Sequence, residues 1–567
     1  MGGTALFLAL RRLRAPLILL VTVFAAGIVG LVLIPGVDAS GGPWHLTVFQ
    51  ALYFMTYTAS TIGFGEIPRE FSTAQRVWVT GIIYASVIGW AYLVASLLAL
   101  SQDQAFRNAI TSGGFRRRVR AIREPFHLIC GFGETGMLVG KALDALGGRF
   151  VAVEIDPTRV QELDLLDLQQ DAPGLAGDAK LPENLLAAGL SKRECRGVLA
   201  LTNDDQANLA VAMSVRLIHP GVPVLARAMS PETGANMASF GTDHIVNPFA
   251  KFGGYLALAI DSPGSHRLLS WVTGLPGTTL KPETAPPRGH WIVCGYGRFG
   301  REVVRAFRRE GLEITIIDPE ERTIEGLRAV RGHGTDAEPL RLAGVERSVG
   351  IVAGTDDDVN NLSIAVTARE LNPKLFTILR QNLQANRALF DAFRADITMV
   401  SSEIVANECL ALINTPLLSR FLAVVRNKDD AWADAVIERM QAVMGVEAPE
   451  IWCVDINAAG APALHQVLAT QGAGICVGDL ARDPSNRDER LACLPVYIAR
   501  ETDSITLPGD DELIETGDQV LFAGTPSARR AQWAALRNVN VRDYLLNGVD
   551  VPDGWIWRWL DRRRARG

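Results

Sequence analysis

The chain divides into a helical membrane part with two transmembrane helices, α/β domains with doubly wound parallel sheets, and a small α+β C-terminal domain. Three observations predict this. Two long uncharged apolar runs fall within the first hundred of 567 residues, a glycine-rich loop lies between them, and a unit of strand, glycine loop, helix and strand occurs twice in the remainder.

Residues 15–34 and 77–100 carry no charged side chain, and each run is long enough to cross a hydrocarbon core about 30 Å thick. The first run exceeds the roughly 7–15 apolar residues of a secretory signal, and a second span follows it. Arg11, Arg12 and Arg14 precede the first run, and Arg107, Arg116, Arg117, Arg118, Arg120 and Arg123 follow the second. Only Arg69 and Arg76 lie between them. The positive-inside rule then puts both termini in the cytoplasm, with the chain a multi-pass protein of the inner (plasma) membrane and the lipid bilayer among its partners. Everything past Pro125 is a cytosolic body. A net charge of −6 with 21% charged residues suits a mixed-charge soluble body and speaks against nucleic acid as a partner. Seven cysteines, at 130, 195, 294, 409, 453, 476 and 493, form no C-x-x-C pair, which argues against a disulfide framework or zinc site and for a reducing compartment.

Residues 43–60 read as an apolar helix too short to span, followed by Thr61-Ile62-Gly63-Phe64-Gly65-Glu66. Irregular backbone at membrane depth is tolerated where it lines a water-filled path. The two glycines let consecutive carbonyls point one way, and rings of carbonyls from Thr61 to Phe64 can replace the water shell of a cation. One chain supplies a quarter of such a ring, so the reading requires a homotetramer. The run resembles the potassium-channel signature T-V-G-Y-G-D, with Ile62 for Val, Phe64 for Tyr and Glu66 for Asp. The resemblance implies a selectivity filter of Thr61, Ile62, Gly63, Phe64 and Gly65, with K+ held at Thr61, Ile62, Gly63 and Phe64. Phe64 lacks the hydroxyl that ties the family's filter to pore-helix aromatics, and Tyr53 is the candidate to supply one from the other side. Glu66 is one methylene longer than Asp, which alters the support behind the filter. In the second span, Gly89 and Gly81 are candidates for a gating hinge, Gly89 ahead; the other reading is close helix packing by small residues.

The body repeats. Short apolar strands at 126–130 and 291–294 lead into Gly131-Phe132-Gly133-Glu134-Thr135-Gly136 and Gly295-Tyr296-Gly297-Arg298-Phe299-Gly300. Each loop opens an apolar-periodic helix, and a second strand ends at Glu154 or Asp318, eighteen residues past the last glycine in both copies. Glycines of this spacing permit a tight turn and close approach of a pyrophosphate to a helix N-terminus, and the acid can hydrogen-bond ribose hydroxyls. An empty structural Rossmann fold is the competing reading for each copy. Further matches are Gly177-Asp178-Ala179 with Thr335-Asp336-Ala337, and Thr202-Asn203-Asp204-Asp205 with Thr355-Asp356-Asp357-Asp358. Arg227 and Arg380 lie nineteen residues beyond Asn208 and Asn361.

This pattern resembles the RCK (KTN, TrkA-N) domain, and two such domains behind a two-helix pore resemble the prokaryotic ligand-gated potassium channels of the GsuK kind. The resemblance implies a tetrameric pore above a gating ring of eight RCK lobes. It also implies a pore domain at 1–100, with pore helix and filter at 43–68, and a linker at 101–125. A first Rossmann domain at 126–260, with crossover helices to 274, and a Pro-rich linker at 275–288 come next. A second Rossmann domain at 289–430, a TrkA-C-like ligand domain at 448–526 and a tail at 530–567 complete it. Cofactor contacts are expected at Gly131, Gly133, Glu134, Thr135, Gly136, Glu154, Asp178, Ala179, Asn203 and Arg227. In the second copy they are expected at Gly295, Gly297, Arg298, Phe299, Gly300, Asp318, Asp336, Ala337 and Thr355. Glu134 would repel a phosphate if it faced the cleft, whereas Arg298 would attract one. Glu154 and Asp318 favour an unphosphorylated ribose, hence NAD or an adenine nucleotide (ADP, ATP) over NADP. The acids at 204–205 and 356–358 offer oxygens for Ca2+, against the alternative of solvated strand-end turns. The tail, with Trp555, Trp557 and Trp559 among arginines, reads as a membrane-interface or ring-docking segment, or as a frayed helix.

Two other functional classes compete with this reading. A membrane-anchored NAD-dependent oxidoreductase needs a proton donor beside the nicotinamide, and none of the eight histidines stands in a recognisable catalytic motif. A regulatory subunit of a potassium transporter has tandem RCK domains without a filter of its own. The expectation is a channel, not an enzyme.

Overall fold

The computed structural model describes residues 3–38, 42–60, 62–66, 69–274, 285–320, 326–471, 474–501 and 503–548. Thr61, residues 275–284 of the Pro-rich linker and the Trp-rich tail lie outside the described residues. The chain forms two compact units, Met1–Arg123 and Glu124–Gly567.

In the first unit, α1 (Gly3–Leu33), α2 (Val48–Ala59), α3 (Thr73–Gln102) and α4 (Gln104–Ala121) follow in order. α2 and α3 each begin at a capping box, Thr47 with Gln50 and Ser72 with Gln75, which pairs backbone amides that a first turn leaves open. Among the described residues, two helices are apolar and long enough to cross a membrane, over Arg11–Leu33 and Thr73–Gln102. They approach closely at Gly30, where a Cβ would fall 2.0 Å from Nε1 of Trp78. Phe54, Met55 and Tyr57 of α2 are buried with Leu31, Leu46, Phe71 and Val79. Val21, Leu33, Val77 and Tyr84 stand open, an apolar surface of the kind lipid covers. Residues 101–125, expected as a linker, are mostly the helix α4.

In the second unit, β1 (Phe126–Cys130), β2 (Arg149–Glu154), β3 (Gly174–Ala176), β4 (Cys195–Ala200), β5 (Val224–Arg227) and β6 (His244–Val246) form a parallel sheet ordered β3-β2-β1-β4-β5-β6. β7 (His290–Cys294), β8 (Glu313–Asp318), β9 (Arg328–Arg331), β10 (Gly350–Ala353), β11 (Phe376–Gln381) and β12 (Ile397–Val400) repeat it as β9-β8-β7-β10-β11-β12. In both sheets the order reverses beside the first strand, the switch point where such folds bind ligands. α5 (Glu134–Ala145) leaves β1 there, α6 (Pro157–Asp164) follows β2, and α7 (Pro248–Asp261) follows the first sheet. α8 (Arg298–Arg309) leaves β7, and α9 (Ser401–Asn414) follows the second sheet.

The helix after each sheet serves the other repeat. α7 buries Phe249, Phe252 and Leu256 with Phe299, Val303 and Phe307 of α8. α9 buries Val405, Ala406 and Cys409 with Phe132, Val139 and Leu143 of the first repeat. The two glycine-loop helices are therefore each roofed by the opposite half of the body.

After α10 (Pro416–Val425) and α11 (Asp430–Met444) comes an antiparallel sheet of β13 (Glu450–Asp455), β14 (Cys493–Ala499), β15 (Ser504–Thr506) and β16 (Gln519–Gly524), ordered β13-β16-β14-β15. Tyr497 and Leu521 on one side pack with Phe421 of α10 and Met440 of α11. Trp452 and Phe522 on the other pack with Ala528 and Leu536 of α12 (Pro526–Arg537), and Trp452 donates to Gln532 at 2.7 Å. α12 and α13 (Val539–Asn547) thus belong to this domain. The expected boundary at 526, with a tail from 530, cuts through its core because the apolar face of α12 is needed to cover the sheet.

Candidate functional site

Ile62 to Glu66 follow α2 without regular structure. Gly63 and Gly65 have φ of 66° and 91°, a left-handed backbone that other residues resist. The amides of Ile62 and Gly63 donate to the carbonyl of Tyr57 at 2.9 and 3.4 Å, and the Tyr57 hydroxyl donates to the Gly65 carbonyl at 2.5 Å. The Tyr57 ring also meets that of Phe64 edge-on, 5.5 Å between centroids. A single residue of α2 therefore holds both ends of the loop. Tyr53, expected to supply the missing hydroxyl, lies instead against the Tyr57 ring at 5.3 Å. The sequence did carry a signal: Tyr57 continues the buried stripe of Ala51, Phe54 and Met55, and Tyr53 does not.

Glu66 turns away from the loop. Its two oxygens accept from Nε and Nη2 of Arg76 at 2.8 and 2.9 Å, and Oε2 also accepts from the Phe71 amide at 2.8 Å. The extra methylene lets the carboxylate reach the start of α3. Gly89 is buried in an unbroken α3, where a Cβ would come 3.0 Å from Cδ2 of Leu20 in α1. That is the close packing weighed for it beside the hinge.

The other candidate sites are the two clefts. Gly133 and Gly297 cap α5 and α8 without any side-chain hydrogen bond, which leaves first-turn amides open to an anion. A Cβ on Gly136 would stand 2.2 Å from the Gly131 carbonyl, and one on Gly300 would stand 1.9 Å from that of Gly295. These glycines close the turn. Glu154 accepts from the amides of Phe132 (2.5 Å) and Asp156 (3.1 Å), and Asp318 from those of Tyr296 (2.7 Å) and Glu320 (3.0 Å). Each acid braces its own glycine loop. Asn208 and Asn361 account for the repeated spacing: their side chains pin Thr202 to the Arg227 carbonyl and Thr355 to the Arg380 carbonyl.

The first cleft opens a cavity of about 460 Å³, within the range of small-molecule sites. Gly131, Gly133, Glu134, Thr135, Glu154, Asp178, Ala179, Asn203 and Arg227 line it, and Asn382, Leu383, Ser401 and Ser402 of the second repeat form a further wall. Gly136 is not in the wall but inside the turn. In the second repeat, Phe299 is a correction: its ring is fully buried, 5.7 Å from Phe249 and 5.6 Å from Phe252. It serves as an anchor for α7 and is out of reach of a ligand. Thr355 is likewise tied to Asn361, and Asp336 and Ala337 open the short helix at 337–342.

Counter-charge separates the clefts. Nη1 of Arg380 meets Asp356 at 2.5 Å, and its guanidinium lies over the Phe249 ring. Nη1 of Arg227 meets the neutral Asn203 at 2.8 Å, and its buried Nε has no partner. Arg227 is 7% exposed. Burial first, then the neighbouring charges of Arg298 and Arg380, lower its pKa against the pull of the Asp205 and Glu134 carboxylates. A buried cation without an ion pair is costly, and Arg227 makes no direct salt bridge to the Asp205 or Glu134 carboxylates that act on it.

The acid runs do other work. Asp204 pairs with Lys180 at 2.6 Å, and Asp205 accepts from the Met229 and Ser230 amides. Asp357 caps the helix at 358–371, and Asp358 accepts from the Asn382 and Leu383 amides. Among the described residues no group of three or more His, Cys, Asp or Glu could hold a metal. The calcium alternative thus has no ligand set there. Two cavity cations were missed from sequence. Arg159 on α6 lies across the loop, with Nη1 2.3 Å from where a Gly133 Cβ would stand, and Lys180 follows the Asp178-Ala179 turn. Their only mark was a basic residue just past the tip of β2 and of β3.

Family models match the same parts. An ion-channel model covers residues 18–102, and a TrkA-N domain model covers 127–248 and 291–401. The chain joins an ion-channel module to two TrkA-N domains. That is the architecture of the two-helix potassium channels with RCK domains. Potassium channel protein 1 of Methanocaldococcus jannaschii is 24% identical over 216 residues, which are 38% of this chain and 63% of that protein. A Trk system potassium uptake protein TrkA homolog of Pyrococcus abyssi is 30% identical over 143 residues, 23% of this chain and 63% of its own length. An uncharacterised protein of Methanothermus fervidus is 26% identical over 230 residues, 40% of this chain and 34% of the relative. The chain thus spans less than two thirds of each of these relatives. Among solved structures, the GsuK channel bound to NAD is 18% identical, with a TM-score of 0.44 over 94% of this chain and 100% of that one. GsuK bound to ADP is 21% identical, with a TM-score of 0.41 over 73% of this chain and 99% of that one.

Proposed function

We propose that four copies of this chain form a potassium-selective channel in the inner membrane, with both termini in the cytoplasm, and that a nucleotide in the first TrkA-N cleft sets its opening. The observation that carries the channel reading is the glycine loop hung from Tyr57 between two apolar spans. Carbonyls from Thr61 to Phe64, one set per copy, replace the water shell of K+. The hydroxyl bond at Gly65 and the Arg76 fork on Glu66 hold the loop's outer end while ions exchange past it. Eight RCK lobes, two per copy, form the regulatory ring. Ligand occupancy reaches the inner helix through residues 101–125, and it shifts opening only by its difference in affinity between the open and closed states.

The ligand is NAD or an adenine nucleotide such as ADP or ATP. The open amides at α5 and the unpaired Nε of Arg227 take phosphate, and Glu154 faces an unphosphorylated ribose. Potassium channels among the relatives accord with this reading. The test is cation flux through the purified chain in liposomes. Wild type carries K+ in preference to Na+, and Gly63→Ala, which puts a side chain at φ 66°, abolishes selective flux. Selective flux that persists in Gly63→Ala contradicts the filter assignment, and sustained NADH turnover would favour an oxidoreductase.

A further inference from the structure

The first cleft is closed on one side by the second repeat, and one contact across that boundary has no counterpart in charge on the other side. Glu134, the first residue of α5, lines the cavity, and its Oε1 accepts from the backbone amide of Gln384 at 2.9 Å. At the matching position of the second loop stands Arg298. The segment that receives Glu134 is otherwise held from its own side. Asp358 binds the amides of Asn382 and Leu383 and Nδ2 of Asn386. The Gln384 side chain reaches Glu403 at 3.2 Å, at the start of α9. α9 in turn packs on the first repeat through Val405, Ala406 and Cys409. A path of direct contacts thus leads from the ligand-facing end of α5 into the second repeat.

Resting on the nucleotide reading of the first cleft, we propose that Glu134 couples occupancy of that cleft to the second repeat by surrendering its hydrogen bond to Gln384 when phosphate binds. The two groups compete for one place. A phosphate at the α5 N-terminus needs the amides beside Glu134, and its charge repels a carboxylate held within a few ångströms. The carboxylate then swings out, and the Gln384 amide loses its acceptor. The exchange is specific to the first cleft, because a phosphate at the second loop meets Arg298 and is attracted. Glu134 is a positioning and specificity residue in this scheme: it makes phosphate binding weaker than the cleft otherwise allows and converts the difference into loss of the bond between the Gln384 amide and α5, while Asp358 keeps its hold on Asn382, Leu383 and Asn386.

The test is hydrogen–deuterium exchange of the full-length channel in lipid nanodiscs, with and without saturating ADP, alongside ADP affinity from a fluorescent-analogue competition titration. In wild type, ADP raises exchange at the Gln384 amide about tenfold. Glu134→Gln keeps an acceptor without the charge. It binds ADP about tenfold more tightly and keeps the Gln384 amide protected with ADP bound. Glu134→Ala exchanges fast at Gln384 with or without ADP. Saturable ADP binding to wild type with unchanged exchange at Gln384 overturns the coupling role and leaves the cleft assignment standing. Failure of wild type to bind ADP or NAD saturably overturns the cleft assignment and the coupling with it.

Discussion

The first and second clefts have the same sheet order, the same glycine turn and the same carboxylate brace, but their arginines are treated differently. Arg380 is neutralised by Asp356 and lies over an aromatic ring, whereas Arg227 faces the amide of Asn203 with its Nε unpaired. Glu134 and Arg298 differ in sign at the mouth of the two loops. The skeleton stays symmetric because Asn208 and Asn361 fix the strand tips by identical hydrogen bonds, and a change there leaves buried amides unpaired. The two arginines and the first helical residues differ in their partners: Arg380 meets Asp356, Arg227 meets Asn203, and Glu134 accepts from the Gln384 amide where the second loop has Arg298. The two repeats share a frame and differ in charge at the same positions.

The largest effect should come from Arg227→Gln. A charge-assisted hydrogen bond is worth about 1.5–3 kcal/mol, so ADP affinity should fall about 10- to 100-fold by isothermal titration, while Arg380→Gln changes it by less than about threefold. Comparable losses in both variants would erase the distinction between the clefts. Importing the second cleft's counter-charge is the next step down: Asn203→Asp should neutralise Arg227 and cost about tenfold in ADP affinity. Glu154→Ala should weaken ADP binding about fivefold through the ribose and the unbraced loop, and Asp318→Ala should change it little. The smallest expected change lies outside both clefts. Tyr57→Phe removes one hydroxyl, and reversal potentials should show K+ over Na+ selectivity reduced about threefold with nucleotide affinity unaltered.

Much of this was legible in the sequence because it rests on local patterns. The spans need only twenty uncharged residues, and the glycine turns need only the spacing that brings Gly136 against Gly131 and Gly300 against Gly295. Nine of the ten first-cleft residues expected from the repeat and the RCK resemblance line the cavity, since strand tips and helix starts are fixed by the parallel sheet. Long-range features were not legible. That Tyr57 rather than Tyr53 holds the glycine loop depends on which face of α2 is buried. The burial of Phe299 is decided by α7, which arrives from the other repeat, and no local pattern marks it. The place of α12 in the last domain is hidden for the same reason: its hydrophobic partner, the sheet around Trp452, lies 80 residues earlier in the chain. The acid runs, taken as possible ion ligands, turn out to be helix caps and amide acceptors, a distinction only three dimensions can make.

The central claim is that a nucleotide in the first cleft sets the opening of a potassium-selective pore. Single-channel recording of the purified full-length chain in planar bilayers, with ADP or NAD added to each side in turn, tests it most directly. The account predicts a K+-selective conductance whose open probability changes with nucleotide in wild type and in Arg380→Gln, and stays constant up to far higher concentrations in Arg227→Gln. An equal response in Arg227→Gln, or no response to either nucleotide in wild type, would contradict it.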